Sequence, residues 1–118
     1  MITNPMPISP RLSFLPPEDS GAGMSVNEVR FDSVGTTVIP FKSSYFVVQP
    51  GCQSPVDTHS VHEIWMLVQG EGELIYEGES SSLRPLDVIY LEPPKKHQVR
   101  NTGTEPLIVF SIWWKETT

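Results

Sequence analysis

Three histidines occur in the 118-residue chain, His59, His62 and His97, and the first two flank the same short segment beside Glu63. Asp57, His59 and Glu63 are separated by two and four positions, so in an extended segment their side chains project to one face. His62 has the opposite parity and points away. Imidazole nitrogens and carboxylate oxygens converging on one point make a site for a divalent first-row metal ion. Two histidines with one carboxylate form the facial arrangement of non-haem Fe(II), and Zn, Mn or Ni accept the same ligands. A site built on one strand needs a ligand from elsewhere, and His97 is the remaining histidine. It shares one face of the segment 97–101 with Val99 and Asn101, so its imidazole can point inward while Gln98 and Arg100 point out.

The elements that must position these residues are strands. Short β-branched and aromatic runs recur between turn signals from Asn27 onward, at 28–34, 37–40, 43–49, 63–69, 73–77, 80–83, 87–92, 97–101 and 106–114. Helix has little support, because Ala22 is the only alanine and prolines interrupt most windows. Glu71-Gly72 and Glu77-Gly78 sit between apolar runs and read as hairpin connections between consecutive antiparallel strands. Residues 1–25 carry five prolines without periodicity and read as an extended arm, leaving 26–118 as the one domain that this length supports. Several strands, such as 63–69 and 107–114, are apolar on both faces. A small barrel has one interior, so the outer face needs the arm or a second subunit, and a homodimer is the expectation.

Composition narrows the function. Eight Lys and Arg against 14 Asp and Glu give a formal charge of −6, and no basic run exceeds Lys95-Lys96, which argues against a nucleic-acid groove. No apolar stretch approaches the roughly 20 residues of a membrane helix. The N-terminus lacks the charged and apolar regions of a secretory signal, so a cytoplasmic protein is expected. Cys52 is the only cysteine, which rules out an intrachain disulfide, and it reads as an inert thiol.

The spacing of these residues resembles that of the cupins. Their first motif, G-x5-H-x-H-x3-4-E-x6-G, is matched by Gly51, five residues, Asp57-Thr58-His59, three residues, Glu63, six residues and Gly70, with aspartate at the first histidine position. Their second motif, G-x5-P-x-G-x2-H-x3-N, is met more loosely over Leu86 to Asn101. The His97-x3-Asn101 ending fits, while Leu86 and Lys95 stand where glycines are frequent. The resemblance covers about residues 27 to 115. It implies an all-β fold, a double-stranded β-helix or jelly-roll barrel, with a metal ion held by His59, Glu63, His97 and Asp57. Asp57 could ligate, favouring harder ions such as Mn or Fe(II), or act from outside the ligand set as a base or hydrogen-bond partner. A bulged strand could instead bring His62 in.

A barrel of this size encloses a pocket fit for a small molecule. The expected function is therefore a metal-dependent enzyme acting on a small organic molecule by oxygenase, isomerase or lyase, or biosynthetic tailoring chemistry. The alternative is a non-catalytic barrel that binds a small ligand. His62-Glu63-Ile64-Trp65, Gln98 to Asn101 and Phe110 to Trp114 are also similar to cupin modules of natural-product pathways, including hydrazine-forming synthetases. That resemblance implies a zinc-type site and N–N bond formation. Of the aromatic and apolar residues Tyr45, Phe46, Trp65, Leu67, Phe110, Trp113 and Trp114, most are expected in the core and about two against a ligand.

Overall fold

The structure, a computed structural model, describes residues 11–31 and 39–116. The described residues form ten strands: β1 (Ser13–Phe14), β2 (Glu18–Asp19), β3 (Met24–Arg30), β4 (Lys42–Val48), β5 (His62–Gln69), β6 (Gly72–Tyr76), β7 (Glu79–Leu83), β8 (Val88–Leu91), β9 (His97–Asn101) and β10 (Leu107–Trp114). No helix occurs among the described residues. The strands form two antiparallel sheets. The larger runs β1-β3-β4-β10-β5-β8, with β2 also on β3, and the smaller runs β7-β6-β9.

Period-two alternation decides which faces meet. On β10, Leu107, Val109 and Ser111 are buried, while Ile108, Phe110 and Ile112 face outward and are half-buried. On β5, Trp65 and Leu67 point in, whereas Met66 and Val68 are exposed. Phe46, Val48, Trp65, Leu67 and Leu107 from the large sheet meet Leu74, Leu83 and Val99 from the small one in a single core. Burial of this apolar area is what holds two sheets face to face. The register between β10 and β5 shifts between Ile108 and Val109, a bulge that skips Val68.

Three expectations need correction. The strand expected at 28–34 begins earlier, at Met24, and runs to Arg30, because its register is set by β4, with Val26 opposite Phe46 and Met24 opposite Val48; residues 32–34 lie outside the described residues. Of the expected strand 37–40, residues 37 and 38 lie outside the described residues, and Ile39 and Pro40 are not in a strand. Glu71-Gly72 is not a hairpin turn: β5 belongs to the large sheet and β6 to the small one, so the chain crosses between sheets there. Gly72 is needed for clearance instead, since a Cβ would lie 2.8 Å from the Arg100 carbonyl oxygen. Glu77-Gly78, with φ of 50° and 80°, is the tight turn of the β6–β7 hairpin. Within the N-terminal arm, β1 and β2 pair with β3, and Phe14 packs edge-on against Tyr45 at 5.1 Å.

Candidate metal centre

The site lies where the two sheets meet at one end of the barrel. Asp57 and His97, 40 positions apart in sequence, are joined as an isolated bridge by two reciprocal backbone hydrogen bonds of 2.9 Å. His97 opens β9, where His97, Val99 and Asn101 are buried while Arg100 is exposed, the alternation that their parity predicts. On the other side of the seam stand His59, in the loop before β5, and Glu63, on β5.

The loop corrects one step of the sequence reasoning. Residues 57–63 are not one strand with a single face; the chain bends at Ser60 and Val61, and β5 begins at His62. The convergence comes from the bend, which is pinned by Thr58 Oγ1 donating to the Pro94 carbonyl. His62 does point away. Its Nδ1 lies against the Tyr90 hydroxyl, and its ring stacks between Tyr90 and Trp114 at 5.9 and 5.6 Å.

The donor atoms are close enough to share one ion. One ligand atom from each of Asp57, His59 and His97 lies within 4.8 Å of the other two. Glu63 Oε1 is 2.8 Å from His59 Nε2 and 3.7 Å from His97 Nε2. Ligands about 2.1 Å from a metal lie about 3 Å apart when cis and at most about 4.2 Å when trans, so the 2.8 and 3.7 Å separations to Glu63 suit a shared ion, whereas the Asp57, His59 and His97 atoms, up to 4.8 Å apart, would have to close by a few tenths of an ångström around it.

Protonation gives an independent argument. His59 Nδ1–H donates to the Val61 carbonyl at 2.9 Å, and His97 Nδ1–H to the Lys95 carbonyl at 3.3 Å. In the neutral rings the lone pairs therefore sit on both Nε2 atoms, facing a carboxylate oxygen. Two acceptors cannot bond each other, so a cation, either proton or metal, belongs between them. Tying Nδ1 to a backbone carbonyl while Nε2 ligates is how metal-binding histidines are oriented. Burial pushes the His97 imidazole below its ordinary 6.5, a shift partly offset by Glu63, the Lys95 carbonyl and Asp57 and reinforced by His59. The ring is neutral at pH 7, the form that a metal requires.

A cavity of about 330 Å³ opens onto this cluster. Asp57, Glu63 and His97 line its polar side, and Met24, Val26, Phe46 and Trp65 its apolar side. Phe46 and Trp65 pack edge-to-face at 5.2 Å, and Trp65 meets His97 at 5.3 Å. Trp65 Nε1 is buried with no hydrogen-bond partner among the described residues. Sequence reasoning missed Met24, within the arm, and Ser111, whose hydroxyl donates to Glu63 Oε2. A lone hydroxyl at the interior parity of β10 was the available signal for Ser111.

A two-sheet antiparallel barrel with histidine and carboxylate donors at the sheet seam defines a class of small barrels built to present a site at one end. The domain model described as Cupin domain matches residues 44–113, and the chain belongs to the cupin family. Among solved structures, a cupin 2 conserved barrel domain protein from Salinispora arenicola is 29% identical, with a TM-score of 0.72 over 95% of this chain and 91% of its own. A cupin 2 domain-containing protein from Halorhodospira halophila is 26% identical, with a TM-score of 0.71 over 84% of this chain and 69% of its own. A cupin-2 domain from Rhodospirillum rubrum, 18% identical, shares the fold with a TM-score of 0.72 over 98% of this chain and 78% of its own.

Proposed function

We propose that the chain is a metal-dependent cupin enzyme acting on a small organic molecule, with a divalent first-row ion held by His59, His97, Glu63 and Asp57. The observation that carries the reading is the pair of Nε2 lone pairs facing Glu63 Oε1 at 2.8 and 3.7 Å. The donor set of two imidazoles and two carboxylates suits Fe, Mn, Ni or Zn. Such an ion supplies Lewis-acid polarisation and activated water, or electron transfer if redox-active.

The protein's own groups do the rest. The Val61 and Lys95 carbonyls fix the two imidazoles. Asp57 is exposed at the mouth, where it can ligate or exchange a proton with an incoming molecule. Phe46, Trp65, Met24 and Val26 form an apolar wall that orients the organic part of a substrate and sheds water as it enters. The volume admits a metabolite and excludes a polymer. A redox-active ion would permit oxygenation, and a redox-inert one isomerisation, elimination or N–N bond formation.

The test is metal content followed by turnover. Protein purified without chelator should carry about one first-row ion per chain, and His59→Ala and His97→Ala should abolish it. Ion-dependent conversion within a panel of small metabolites completes the case. Protein that stays metal-free after incubation with Fe, Mn, Ni and Zn overturns it. Loaded protein that only shifts its melting temperature with a metabolite and never converts one supports the ligand-binding alternative.

A further inference from the structure

We infer that Ser111 is a positioning residue that confines Glu63 to a single-oxygen ligand mode and so keeps a coordination position free for an incoming molecule. The inference rests on the metal reading above.

Ser111 is 1% exposed, at the centre of β10 among inward-facing Leu107 and Val109. A hydroxyl in such surroundings is unfavourable unless it is hydrogen-bonded. Its one hydrogen goes to Glu63 Oε2. Its backbone is held in turn, because buried Ser43 on β4 donates its hydroxyl to the Ser111 carbonyl at 2.8 Å. The Ser111 side chain therefore springs from an anchored point between β4 and β5.

The two oxygens of Glu63 are thus divided. Oε2 is held by Ser111, and only Oε1 faces His59 Nε2 and His97 Nε2. A carboxylate oxygen that already accepts this hydrogen bond has less charge left for an ion, so the hydroxyl favours ligation through Oε1 over chelation by both oxygens. With Glu63 restricted to one oxygen, Asp57, His59, Glu63 and His97 can supply four donor atoms, and a five- or six-coordinate ion keeps at least one position open. Without the hydroxyl, Glu63 is free to rotate and close that position.

Cobalt(II) and azide are the probes, using the full chain. The visible d–d bands of Co(II) report coordination number, and azide titration reports an open position. Wild-type protein should give a Co(II) spectrum that azide shifts. Ser111→Ala should change that spectrum and weaken the azide response tenfold or more, in line with the usual cost of losing an orienting partner. Ser111→Thr, which keeps the hydroxyl, should restore both. If Ser111→Ala does not fold, Ser111→Cys keeps the volume with a much weaker donor and should show the same spectral change. A core-packing role would not alter the bands of a folded, loaded variant. Identical spectra and azide responses in wild type and the folded variant overturn the assignment of Ser111 alone. A wild-type chain that takes up no cobalt overturns the metal reading and this inference with it.

Discussion

Asn101 closes the histidine-x3-asparagine pattern, and its place in the structure predicts that its removal damages the framework and spares the ion site. Its side chain is 3% exposed. The amide nitrogen donates to the Val48 carbonyl at 2.9 Å and to the Glu105 carbonyl at 2.8 Å, and the amide oxygen accepts from Gly103 N–H at 2.9 Å. One amide therefore ties β9 to the end of β4 and closes the turn into β10. Asn101→Ala removes all three bonds. At about 1 kcal/mol per bond the loss is roughly 3 kcal/mol. For a domain of this size that corresponds to a fall of about 10 °C in melting temperature. Chemical denaturation followed by tryptophan fluorescence measures it directly, and metal content of the same preparation gives the second readout. Metal per folded chain should stay at the wild-type level. A cost below about 1 kcal/mol, or loss of the ion at unchanged stability, refutes the framework reading.

Three further outcomes are expected. Leu86 holds φ of 75° while 79% exposed, so Leu86→Gly relieves left-handed backbone strain of about 1–2 kcal/mol against glycine's entropic cost of about 0.5–1. The unfolding free energy should rise by the difference, with a matching rise in the denaturation midpoint, and a fall rejects the strain argument. Met66, Val68, Val88 and Tyr90 are exposed together on β5 and its neighbour β8. We expect a second copy to cover them, so light scattering should give twice the 13.2 kDa chain mass. Val88→Glu should return the single-chain mass, and a wild-type monomer at micromolar concentration rejects the pairing. In chelator-treated protein, His97 titrates below 6.5 in the folded chain, so under that pH the unfolded chain binds the extra proton. Stability should be fully present above 6.5 and decline as pH falls towards the lower folded value. His97→Gln should flatten that part of the profile, and an unchanged slope counts against His97 as its source.

The ligand candidates were legible because spacing is a strong constraint: Asp57, His59 and Glu63 with a distant His97 form a pattern that few chains meet by chance. The inward parity of His97, Val99 and Asn101 was equally readable, since alternation fixes a strand's faces once the strand is placed. The bend at Ser60 was not, because no periodicity distinguishes a strand from a turn that delivers the same residues to one point. Nor could the sequence assign β6 to the smaller sheet, as a glycine between two apolar runs suits a hairpin and a crossover alike. Leu86 illustrates a partial success. Its departure from a frequent glycine was visible, and the left-handed backbone at that position gives the reason for the preference. Ser111 escaped notice because its value lies in one partner 48 positions away.

The candidate donors fall into two halves. Asp57 and His97 are locked by their mutual backbone bonds, and His59 and Glu63 belong to the loop and strand across the seam. The sheets beside the two halves pack through one core, which includes Leu67 and Val99. Trimming a methyl group there would let the halves approach and shift the preferred ionic radius. Discrimination among ions of similar chemistry would thus be written into the hydrophobic interior as much as into the donors.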